Sequence, residues 1–153
     1  MGRTRYAGFT LVEMLVVIAI IAILASIFLV GLRGFREGAY DSRRASDLRN
    51  AQNYLELYYN RNRTYPNVSA WAALEQELIT AQIGVSSIPH DPMSKGGTDV
   101  ARDYLYGASA DQQQYVLRAQ LSTDSQLLED DADGTQNGVD CSDGASRYYC
   151  IAF

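Results

Sequence analysis

The chain has 153 residues, which suggests one domain. A formal charge of −5 makes it a poor binder of duplex DNA through bulk electrostatics, so no specific nucleic acid is expected as a partner. Ile, Val and Leu crowd the segment before residue 33 and Tyr, Gln, Asp and Ser dominate the rest, a split that points to an anchor followed by a polar body.

Arg3 and Arg5 precede Gly8-Phe9-Thr10-Leu11-Val12-Glu13-Met14. Residues 14–32 then form a run of nineteen in which Ser26 is the only polar side chain. As a helix that run is about 28 Å long, close to the hydrocarbon thickness of a bilayer. A secretory signal core is shorter, about 7–15 residues, and ends in a small-residue cleavage site that is missing here. Glu13 stands at the head of the run, where a charge at bilayer depth costs ~2.5–3.5 kcal/mol. It is therefore expected to meet a partner in the working state.

This arrangement resembles the class III signal of type IV pilins and type II secretion pseudopilins. The resemblance implies that a prepilin peptidase cuts after Gly8 and that the new N-terminus, Phe9, is N-methylated. It implies an α+β, pilin-like fold, in which a long N-terminal helix packs on a small antiparallel sheet head with a C-terminal disulfide loop. The expected divisions are a leader over 1–8, an apolar transmembrane and filament-core helix over 9–32, an amphipathic half over 33–64 and a globular head over 65–153.

Arg33, Arg36, Arg43, Arg44 and Arg49 follow the run, and a count of positive charges would keep the C-terminal body inside. Glu37, Asp41 and Asp47 interleave with them, and two late cysteines point to an oxidising compartment outside. The outside placement is the expectation.

The long helix continues beyond the run. Leu48, Ala51, Leu55 and Tyr58 recur at helical spacing, with Gln52, Glu56 and Asn60 between them. Arg33 with Glu37 and Arg43 with Asp47 are spaced for pairing along its face. Gly31, Gly34 and Gly38 fit either close backbone packing or a segment that loosens on assembly. Asn62-Arg63-Thr64-Tyr65-Pro66 should end the helix.

Trp71, Leu74 and Leu78 predict a short second helix with Ser69 as N-cap, and Trp71 is read as core. Ile88-Pro89-His90-Asp91-Pro92 is a rigid connector resembling the Pro-x-Asp-Pro segment of major pseudopilins, with His90 expected in a surface loop. Residues 103–106 and 114–121 predict two strands, joined as a hairpin by Ser109-Ala110-Asp111-Gln112. Tyr54, Tyr58 and Tyr59 are expected to pack between stem and head.

The segment 128–140 concentrates carboxylates. Glu129, Asp131, Asp133 and Asp140 take the first, third, fifth and twelfth places of a calcium-loop spacing, with Gly134 at the sixth. The match is partial, since the twelfth ligand is normally Glu, and the alternative is a solvated acidic turn. No cofactor is otherwise expected beyond this structural calcium. Cys141 and Cys150 are the only cysteines and predict a disulfide. Asn62 and Asn67 begin glycosylation sequons, which arise often by chance.

No paired nucleophile and base, metal triad or phosphate loop stands out, so an enzyme is not expected. The expected function is a structural subunit of a type IV pilus-like filament. It would be single-pass in the inner membrane before assembly and extracellular afterwards. Its partners would be further copies of itself, the prepilin peptidase, inner-membrane assembly machinery and membrane lipid. The alternatives are a major pseudopilin of a periplasmic secretion filament and an anchored calcium-dependent binding domain.

Overall fold

The computed structural model describes residues 8–153, with backbone alone for 27–33. Residues 1–7 of the predicted leader, the end of the apolar run and the Arg33–Glu37 pair lie outside the described residues. Eight elements follow in order: α1 (Leu11–Asn62), α2 (Trp71–Thr80), β1 (Leu105–Ala108), β2 (Tyr115–Gln120), a 3₁₀ turn (Gln126–Leu128), β3 (Thr135–Gln136), β4 (Val139–Asp140) and β5 (Tyr148–Ala152). The fold is α+β and pilin-like. The chain divides into two compact units, Met1–Arg36 and Glu37–Phe153.

In the first unit the described apolar side chains of α1 face outward on every side. Among the described residues no helix is long and apolar enough to cross a membrane. The side chains of 27–32, which complete the predicted span, are not among them. A Cβ at Gly34 or Gly38 would meet nothing within 4 Å among the described residues.

The second unit holds the core. Ala45, Leu48, Ala51, Leu55 and Tyr58 form the buried stripe of α1 at the predicted spacing. Trp71, Leu74 and Leu78 of α2 join them, together with Tyr104, Tyr106, Tyr115 and Leu117. The helix ends as expected before Pro66, with Arg63 at φ 63 and its N–H donating to Tyr59 O at 2.7 Å. The expected Ser69 cap is corrected. Ala70 occupies the N-cap position and supplies no side-chain hydrogen bond. The buried Trp71 anchors this end instead, its indole N–H donating to Pro89 O at 2.9 Å.

β1, β2 and β5 form one antiparallel sheet with β2 in the centre. The two expected strands are present but displaced at their ends. Asp103 stays outside β1 because its carboxylate accepts from the N–H groups of Asp91 and Tyr104. β5, which pairs Arg118 with Cys150 and Ala119 with Tyr149, is an addition to the expected strands. So is the β3–β4 hairpin, turned by Asn137 (φ 47) and Gly138 (φ 81), two left-handed residues suited to a tight turn. The tyrosines pack as expected. Tyr65 lies 4.7 Å from Tyr59 and 4.6 Å from Tyr115, ring centre to ring centre.

His90 is a second correction. Its side chain is only 20% exposed, with Nδ1 at 2.6 Å from Asp103 and Nε2 at 3.5 Å from Glu75. Gly97 gives the ring room, because a Cβ there would sit 2.6 Å from it. The imidazole thus ties α2 to the approach to β1.

Candidate functional site

The first site lies where α1 begins. Gly8 and Phe9 are exposed, Phe9 at 80%, and among the described residues nothing would crowd a Cβ at Gly8. Thr10 stands at the N-cap and Glu13 three residues on. The Glu13 carboxylate accepts from Thr10 N–H at 2.8 Å and from the Thr10 hydroxyl at 2.9 Å, while Glu13 N–H donates back to Thr10 Oγ1 at 3.2 Å. This reciprocal pair is a capping box, which satisfies donors that a helix start leaves open. The Thr-x-x-Glu spacing is itself a capping signal in the sequence, beside the expectation that Glu13 meets a charged partner.

The second site fixes α1 to the rest of its unit. Arg44, Asp41 and Asp91 are buried together. Arg44 donates to Asp41 at 2.7 Å and to Asp91 through two nitrogens. Asp41 also accepts from Ser122 N–H at 2.8 Å and from Thr123 N–H at 2.9 Å. Burial alone would raise the Asp41 carboxyl, but Ser122, Thr123 and Arg44 outweigh it and hold it below the usual carboxylate range. Asp47 goes the other way. Burial raises it, and the Tyr104 hydroxyl, donating at 2.8 Å, and Arg43 offset only part of that.

The third site is the acidic loop. Carboxylate oxygens of Asp131, Asp133 and Asp143 lie within 4.8 Å of one another. Two of the four predicted ligands, Asp131 and Asp133, are therefore together. Glu129 and Asp140 are not in this group, and Asp143 takes a place that the spacing did not anticipate. The physical reason is the hairpin. Asp140 ends β4, and its carboxylate accepts from the N–H and hydroxyl of Ser142 at 3.0 and 2.6 Å. Glu129 caps the 3₁₀ turn and is exposed. Burial lifts the Asp131 carboxyl to about 6, with Asp143 and Asp133 adding to the rise and the Cys150 N–H opposing it. Oδ1 of Asp131 and Oδ1 of Asp143 are shut off from solvent without a hydrogen-bond partner. Such orphaned oxygens, clustered and hard, suit calcium or magnesium. The predicted disulfide, Cys141–Cys150, lies beside them.

The description that matches residues 3–29 is the prokaryotic N-terminal methylation motif. The chain thus carries this motif and is similar to type II secretion and type IV pilus subunits. It is 41% identical to a type II secretion system core protein G of Aeromonas hydrophila over 66 residues, 43% of this chain and 46% of the relative. It is 38% identical to the core protein G of Pectobacterium carotovorum over 101 residues, 62% of this chain and 65% of the relative. It is 41% identical to the type IV wide pilus major component PilA4 of Thermus thermophilus over 82 residues, 53% of this chain and 63% of the relative. The chain therefore spans less than two thirds of each of these relatives. No solved structure matches it.

Proposed function

We propose that this pilin-like chain is a structural subunit of a type IV pilus-like extracellular filament. The observation that carries the reading is the open Gly8–Phe9 junction immediately ahead of a capped apolar helix. The precursor waits in the inner membrane on residues 9–32. A prepilin peptidase cuts after Gly8, and Phe9 is methylated. Cleavage creates an α-amino group with a reference pKa of ~7.7–8.0, largely protonated near neutrality. As stems leave lipid and pack together, Glu13 takes the Phe9 amine of a neighbouring copy, because an unpaired buried charge costs several kcal/mol. Apolar packing supplies cohesion, and this pair sets axial register.

A secretion pseudopilus is the second reading. Similarity to the core G proteins favours it, as does the Pro-His-Asp-Pro connector, whose Asp91 receives Arg44. Mass spectrometry of the N-terminal peptide, from a sheared surface fraction and from washed cells, separates the readings. Methylated Phe9 in the sheared fraction is the expected result. The same terminus in cells alone favours the pseudopilus, and an intact Met1 leader in both fractions overturns a filament role.

We further infer a structural calcium held by Asp131, Asp133 and Asp143. The orphaned oxygens support it. Calcium would neutralise three crowded carboxylates and brace the loop. Calorimetric titration of the purified chain with calcium should show saturable binding that Asp131→Asn abolishes.

A further inference from the structure

Both halves of the cystine are bonded to the segment that carries two of the three carboxylates. Cys150 N–H donates to Asp131 Oδ2 at 2.6 Å, and Cys150 O accepts from Ala132 N–H at 3.2 Å. Cys141 N–H donates to Gly134 O at 2.7 Å. The third carboxylate, Asp143, stands two residues past Cys141, inside the loop that the disulfide closes. Val116, Val139 and Ala132 pack around the two sulfur-bearing residues. Gly107 on β1 lets the hairpin come this close, since a Cβ there would lie 2.8 Å from Val139 and 3.0 Å from Asn137 O.

We propose that the Cys141–Cys150 disulfide positions the cation site, so that the oxidised chain binds calcium more tightly than the reduced chain. This rests on the calcium reading above. Three neighbouring carboxylates repel one another when no cation lies between them. With the bridge intact, Asp143 cannot relieve that repulsion by swinging away, because its loop is fastened at both ends. With the bridge opened, only hydrogen bonds hold the loop, and the relaxed chain must be ordered again when calcium binds. Preorganisation of this kind raises affinity by lowering the cost of binding. The coupling is reciprocal, so bound calcium must also protect the bridge from reduction.

The test uses the full chain in detergent, titrated with calcium chloride before and after treatment with a water-soluble phosphine. The phosphine is oxidised to its oxide with oxygen from water, and the bridge gains two electrons and two protons to become two thiols. Affinity should fall at least about tenfold on reduction, within the usual range of site-to-site coupling. The Cys141→Ser/Cys150→Ser variant should match the reduced chain. Equal affinities would overturn the coupling and leave the calcium reading standing, whereas no binding by the oxidised chain would overturn both. A second measurement covers a reduced chain that fails to fold. The rate of bridge reduction in the folded chain, followed by thiol alkylation and mass spectrometry, should slow in calcium relative to chelator. Asp143→Asn should remove that protection. An unchanged rate in the unsubstituted chain at saturating calcium would overturn the proposal.

Discussion

Glu13 has one observed task and one proposed, and conservative substitution separates them. The capping box uses its oxygen atoms, while the proposed pairing with Phe9 uses its charge. Glu13→Gln should keep the helix start and membrane insertion yet block filament formation, whereas Glu13→Ala should lose the capping box as well as the filament. Wild-type amounts of sheared filament from Glu13→Gln would remove charge pairing from the mechanism. Asp41 is a test of a different kind. Its pKa is lowered in the fold, so its contribution is present above the unfolded value, near ~3.9, and is lost as pH falls through the folded value. Urea unfolding should show Asp41→Asn less stable than the unsubstituted chain at neutral pH, with the gap narrowing as the medium is acidified below about pH 4. The capping role of Glu13 is legible in its Thr-x-x-Glu spacing, but the role of Asp41 is not. A carboxylate in a sequence looks solvated, and nothing local in Asp41 or Arg44 announces Asp91, Ser122 and Thr123, which come from distant segments.

The elements were legible to different degrees, for identifiable reasons. The packed half of α1 announced itself through Leu48, Ala51, Leu55 and Tyr58, because apolar side chains at helical spacing have few other uses. Leu48→Ala should therefore cost about 2–5 kcal/mol in chemical denaturation, as for other fully buried leucines. The same stripe extends to Asp41, Arg44 and Asp47, whose burial their polarity concealed. β2 was recognisable by its alternation, although Val116 on its other face is also buried, against the cystine. β5 carries no such signal, because Tyr-Tyr-Cys-Ile-Ala has no alternation of polar and apolar residues. The Asn137-Gly138 pair is a direct hairpin signal set among carboxylates, and the hairpin it turns places Asp143, not Asp140, beside Asp131 and Asp133.

For the molecule as a whole, the disulfide is the simplest handle. Closing a loop of this length contributes roughly 2.5–3 kcal/mol in the chain-entropy model. Reducing the chain in chelator should lower its unfolding free energy by about that amount, measured in urea. A much larger loss would mean that the bridge also holds β5 in the sheet. The capping box at the start of α1 has a consequence for the proposed filament. If Glu13 is already satisfied by Thr10 in the free subunit, taking a neighbour's amine exchanges one partner for another and does not fill an empty bond. In the proposed assembly the net gain is then the difference between a hydrogen-bonded and an ion-paired carboxylate. In the proposed filament one carboxylate would thus have an acceptable partner both in the lipid-embedded subunit and in the packed stem.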